Sequence, residues 1–125
     1  MVTQITGLSG DVAGFRATGT VTKEDYDTII YPAVKKICDH NPELNFLMVL
    51  DNHLKNFTPG AWMKDAAMGL KHLTRWKKIA IVSDEAMVKT AMPIMDTIAP
   101  GQYKAFAHKD VQLAFNWVSE KTKGG

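Results

Sequence analysis

The sequence predicts an α/β fold: a mixed, mostly parallel five-stranded sheet with four helices, in the order ββαβαβαβα. Three observations lead there. The runs Leu44–Leu50 and 78–82 are almost wholly apolar and bounded by turn residues, which is the mark of a strand buried on both faces. Between and after them, apolar residues recur at helical spacing. Strands that alternate with helices imply right-handed crossovers and a parallel sheet.

Residues 2–8 read as a first strand, closed by Gly7, Ser9, Gly10 and Asp11. Residues 12–21 alternate, with Val12, Gly14, Arg16, Thr18 and Thr20 on one face and Ala13, Phe15, Ala17, Gly19 and Val21 on the other. This predicts a strand with one wetter face, and the short link makes the two strands an antiparallel hairpin. The first helix spans residues 22–39. Thr22 with Asp25 resembles a capping box, and Tyr26, Ile29, Ile30, Ala33, Val34, Ile37 and Cys38 form its stripe. Pro32 lies inside it and predicts a kink. After Leu44–Leu50, Thr58 and Pro59 supply an N-cap and a suitable first helical residue. The second helix runs from residue 59 to about 75, with Trp62, Ala66, Leu70 and Leu73 at helical spacing. Ser83 or Asp84 should cap the third helix, whose stripe is Met87, Val88, Ala91, Met92, Met95 and Ile98, with Pro93 inside it. Residues 103–107 give the last strand, and Val111, Ala114, Phe115 and Val118 mark one face of the last helix.

A length of 125 residues with 46% hydrophobic and 22% charged residues suits one domain, 1–125, with its own core. The net charge of +2 and pI near 8.7 are too weakly basic for a nucleic-acid footprint. Cys38 is the single cysteine, which rules out a disulfide framework and a thiolate zinc site. No apolar run approaches a membrane span, and residues 1–10 do not read as a signal peptide, so the expectation is a cytoplasmic, non-membrane-spanning protein.

Several stretches resemble the SpoIIAA-like family, which is related to the STAS domains and shares its fold with the CRAL-TRIO lipid-transfer domains. The first is the hairpin 14–19 (Gly-Phe-Arg-Ala-Thr-Gly), leading into 21–26 (Val-Thr-Lys-Glu-Asp-Tyr). The others are Ile30-Tyr31-Pro32-Ala33, the loop 56–61 (Asn-Phe-Thr-Pro-Gly-Ala) followed by Gly69-Leu70-Lys71-His72, and the strand 79–84 (Ile-Ala-Ile-Val-Ser-Asp). The resemblance covers nearly the whole chain and implies a binding or regulatory module rather than an enzyme. STAS anti-sigma-factor antagonists present a phosphorylatable serine at the start of the second helix. Here residues 51–60 contain no serine, and Thr58 is the only hydroxyl.

In an open α/β sheet, ligands bind outside the carboxyl ends of the strands, so residues 51–58 are the first place to look. Thr58, at a helix N-terminus, suits an anion or phosphate, but an ordinary N-cap is its commoner role. Asp51 and His53 have the chemistry of an orienter and a base, which is the basis of an alternative reading as a small hydrolase or isomerase, with Asp65 as a further acid. No nucleophile elbow accompanies them. The four histidines show no metal-binding spacing, and no cofactor is expected. Lys71, His72, Arg75, Lys77 and Lys78 form a basic cluster that suits phosphate or an anionic lipid, or simply offsets a helix dipole. The Met-rich third helix is the leading feature. Trp62, Met63, Met87 and Met92 are expected to line an adaptable apolar groove beside Asp51, His53 and Thr58. The groove would take a lipid, a small apolar ligand or a protein partner. The surplus of Met and Ile on the third helix also predicts a homodimer.

Overall fold

The computed structural model describes residues 1–120. Strands β1 (Val2–Gln4), β2 (Val12–Ala17), β3 (Leu44–Leu50), β4 (Trp76–Val82) and β5 (Gln102–Phe106) form one sheet in that spatial order. β1 pairs antiparallel with β2, Val2 opposite Ala17, and every other pairing is parallel. The predicted hairpin forms, but its first strand is shorter than expected. Residues after Gln4 leave the ladder, and Leu8 folds over Gly14, where a Cβ would meet the Leu8 Cδ1 at 2.3 Å. Leu8 and Ile5 thereby cover the face of β2 expected to be wetter, and only Arg16 of that strand is partly exposed.

Helix α1 is continuous through three segments: Lys23–Asp25, a π turn at Tyr26–Ile30, and Tyr31–His40. The Thr22 backbone N–H donates to Asp25 Oδ2 at 2.9 Å, as the capping-box pattern predicts. Pro32 lies two residues after the end of the π turn. The proline ring would clash with the carbonyl four residues earlier in a regular helix, and a wider turn relieves that clash. α2 is Pro59–Lys71, α3 is Ala86–Ile98 and α4 is Val111–Ser119. Thr58 Oγ1 accepts from the Ala61 N–H at 3.1 Å, a working N-cap. The cap of α3 differs from expectation. Its N-cap is Glu85, Ser83 Oγ accepts from the Glu85 N–H, and Asp84 turns away to His108.

The strand order advances in one direction, so right-handed crossovers put α1, α2 and α3 on the same face. Ile30, Val34, Ile37, Ala61, Met68, Val88 and Met92 pack there against Phe15, Phe46, Met48 and Ile79. α4 alone covers the other face, with Ala114 and Val118 on Val12, Leu47, Val49, Ala80 and Val82. β3 is buried along its whole length, as expected for a central strand covered on both sides. β4 is not. Ile81, next to the carboxyl end of the strand and on the face of the three crossover helices, is only partly buried.

The inward faces of α2 and α3 also differ from the sequence expectation. α2 turns Ala61, Asp65 and Met68 inward, while Trp62, Ala66, Leu70 and Leu73 are exposed. α3 buries only Val88 and Met92, leaving Met87, Ala91 and Ile98 exposed. Each helix is apolar on two faces, and only one can meet the sheet. No helix of the described residues is long and apolar enough to cross a membrane.

Candidate functional site

Two regions carry the candidate chemistry. The first is an open cleft of about 370 Å³ bounded by Leu50, Asp51, Asn52, His53, Ser83, Asp84, Glu85 and His108. It lies where β3, β4 and β5 end, the position open α/β sheets favour for ligands. His108 is its centre. Its Nε2 lies 2.8 Å from the Leu50 carbonyl and 3.3 Å from Asp51 Oδ1, and its Nδ1 lies 2.9 Å from Asp84 Oδ2. The His108 backbone N–H donates to Asp84 Oδ1 at 3.0 Å.

Both ring nitrogens therefore face groups that only accept, so the ring must carry both protons. Burial pulls the His108 pKa down, but the Asp84 and Leu50 hydrogen bonds and the charges of Asp84 and Asp51 outweigh it and raise the value above that of a free histidine. The backbone and side-chain hydrogen bonds of His108 hold the Asp84 carboxyl below the usual range. Arg16 Nη1 reaches Asp51 Oδ2 at 2.6 Å, so two cations and two carboxylates neutralise one another. In that doubly protonated form His108 has no lone pair to offer, which a general base needs. The cluster pins the ends of four elements together.

Asp51 and His53 do not form the expected pair. Asp51 belongs to Arg16 and His108, while His53 Nδ1 lies 2.8 Å from Glu85 Oε1. Glu85 also accepts from the Leu54 N–H, so it anchors the loop after β3 to the start of α3. The third residue considered, Asp65, is partly buried and accepts the Tyr26 hydroxyl hydrogen bond at 2.9 Å. Burial raises the Asp65 pKa, and the Tyr26 hydrogen bond opposes that shift. Sequence spacing could not reveal His108, because its partners Asp84 and Leu50 are 24 and 58 residues away.

The family model for SpoIIAA-like proteins matches residues 12–119. The chain belongs to the SpoIIAA-like family. A crystal structure of an uncharacterised protein with a SpoIIAA-like fold, from Shewanella loihica PV-4, is similar over 94% of this chain and 93% of that one, with 24% identity and a TM-score of 0.70. At that identity the likeness is one of fold. No curated protein matches the chain.

The second region of this SpoIIAA-like chain is the outer face of α2 and α3. In α2, the positions one step before the inward residues face α1: Gly60 sits against Lys23, and Lys64 Nζ pairs with Asp27 at 2.9 Å. The positions one step after, Trp62, Ala66 and Gly69, continued by Leu73, therefore face away from α1, toward α3. α3 runs in the same direction as α2, since both return from the carboxyl edge of the sheet. Its stripe one step before the inward residues, Met87, Ala91, Ile94 and Ile98, faces back toward α2. On its far flank, Asp96 accepts from the Tyr103 N–H of β5 at 2.9 Å, which fixes this orientation. Two apolar stripes are thus turned toward one another, above the side of the sheet on which Ile81 is partly open.

Of the residues expected to line such a groove, Trp62 and Met87 are exposed. Trp62 stacks on Phe57 with ring centroids 4.8 Å apart. Met63 lies on the outer crest of α2, 75% exposed, and Met92 is in the core at 8%. Thr58 is occupied by its capping bond, and Asp51 and His53 line the polar cleft instead.

The basic cluster after α2 is largely committed within the fold. Arg75 donates to the carbonyls of Cys38, Asn41 and Pro42, closing the end of α1. Lys77 pairs with Glu43, and buried Lys78 donates to the Trp117 and Glu120 carbonyls at the end of α4. His72 faces Cys38 Sγ at 3.7 Å, and burial, with Lys71 and Arg75 nearby, lowers its pKa. Among the described residues, no group of three or more His, Cys, Asp or Glu side chains is placed to hold a metal.

Proposed function

We propose that this protein is a non-catalytic binding module whose working surface is the apolar trough between α2 and α3. The observation that carries this reading is the pair of exposed apolar stripes on α2 and α3, with Ile81 of β4 partly open on the same side of the sheet. Eight of the ten large apolar side chains exposed among the described residues lie on α2, α3 or the turn after α2. A monomer in water gains nothing from such a concentration, and patches of this kind mark interaction sites. The occupant is a lipid or small apolar ligand, or a protein surface. Burial supplies the driving force, about 25 cal/mol per Å² before ordering costs.

Catalysis at the polar cleft is the weaker reading. His53 with Glu85 has the form of an oriented base, yet no hydroxyl or thiol among the described residues is hydrogen-bonded to it. Native mass spectrometry of freshly purified protein tests the binding reading. Wild-type protein should carry an added mass, either a bound small molecule or a protein, and Ile94→Lys and Leu70→Lys should lose it while melting normally. A bare wild-type monomer that also fails to bind cis-parinaric acid, a fluorescent fatty acid, would overturn it.

A further inference from the structure

Resting on that reading, we infer that the occupant of the α2–α3 face is a second copy of this chain, paired about a two-fold axis. Charge is the first argument. In a two-fold pairing the same patch meets itself, so a charge near the axis faces its own image. The charged residues of both helices avoid the face: Lys64 and Lys71 lie on the α1 flank, Lys89 and Asp96 on the β5 flank, and Asp65 beneath α2. What remains outward is Trp62, Met63, Ala66, Leu70, Met87, Ala91, Ile94 and Ile98, the charge-poor, Met- and aromatic-bearing composition of an interface core.

Shape is the second. The patch holds a ridge and a trough side by side, so the crest of one copy's α2 can enter the trough of the other, as an isologous contact requires. Extent is the third. Two adjacent helices of 13 residues each present a footprint roughly 20 Å long and 20 Å wide. That is the low end of specific interfaces, and it fits a dimer of about micromolar strength. A single acyl chain in the trough would leave Leu70 and Ile98, 72% and 71% exposed, in water, whereas a second copy covers them. An anionic lipid surface needs a basic rim, and the nearby Arg75, Lys77 and Lys78 are already engaged.

Sedimentation velocity over a series from below to well above micromolar tests this, with circular dichroism melts as the folding control. Wild type should shift from monomer to dimer. Ile94→Lys and Leu70→Lys should weaken the dimer at least about thirtyfold, the equivalent of a hot-spot loss of about 2 kcal/mol, without lowering the melting temperature of the dilute monomer. Leu113→Lys, an exposed apolar position on α4, should leave the dimer intact. A wild-type monomer throughout, or a dimer that survives both lysine variants, overturns the inference. If a wild-type monomer still binds cis-parinaric acid and Ile94→Lys does not, only the second copy fails and the binding face stands. If neither binds, both fail.

Discussion

The polar cleft at the strand ends and the apolar face of α2 and α3 invite opposite conclusions at first sight. The cleft holds two histidines, three carboxylates and, at Asp51, an arginine, the usual vocabulary of chemistry. Yet most of its bonds close on themselves, Asn52 Oδ1 being a buried oxygen left without a partner. His108 gives both protons to acceptors, Asp51 is held by Arg16, and His53 is tethered to Glu85. The α2–α3 face holds nothing reactive, but its side chains lack the neighbours that apolar groups find in a core. Reactive residue types are poor guides to function when their partners are already inside the fold, and unsatisfied surface is the better one.

The sharpest way to break this comparison uses two positions on α3. Met92→Lys places a charge in the core beside Val88 and should cost at least about 3 kcal/mol, visible as a collapse of the melting temperature. Ile94→Lys, two residues on, should leave the melt unchanged. Equal losses at both would mean that α3 has no free face.

The cleft predicts a smaller effect. His108→Ala should destabilise by about 1–2 kcal/mol, the charged hydrogen bonds being discounted because the ring is more than a third exposed. Because its folded-state pKa is raised, the His108 contribution is complete below the unfolded value of about 6.5 and is lost as pH rises through the higher folded value. The melting difference between wild type and His108→Ala should therefore narrow from pH 6 to pH 9. A difference that stays constant would show that His108 is not the doubly protonated pin described above.

Thr58→Ala should cost about 1 kcal/mol and Thr58→Asp almost nothing, as measured by urea unfolding, since Asp also caps well. Stoichiometric phosphate on Thr58 in protein from its native host would assign it a role beyond capping. Asp65→Asn should have the smallest effect and the opposite sign. It removes a buried charge and keeps an acceptor for the Tyr26 hydroxyl, so stability at neutral pH should rise slightly.

The strands were legible because short apolar runs between turn residues have few other uses, and β3 matches its run from Leu44 to Leu50. The Thr58 cap was legible because capping is local. The orientation of α2 and α3 was not. Periodicity finds a stripe, but these helices carry two stripes 100° apart, and Ala61 and Met68 went inward where Trp62 and Leu70 were expected. A second stripe on a helix that can bury only one is the signal that sequence reasoning passed over. For the same reason the two methionines expected side by side are parted, Met87 exposed and Met92 buried. The cleft was legible on its β3 side, where Asp51 and His53 line it, but Asp84, Glu85 and His108 were not, because their contacts join residues far apart in the chain.

Methionine oxidation tests the central claim most directly, that the α2–α3 face is covered in solution. Dilute hydrogen peroxide, followed by mass spectrometry, reads each methionine separately. As an isolated chain, Met87 is 69% exposed and should oxidise quickly, while Met92 should not. With the face covered, wild-type Met87 should be protected at high protein concentration and should become reactive on dilution or in Ile94→Lys. Met87 that oxidises at the rate of an exposed methionine in wild type at every concentration would contradict the account.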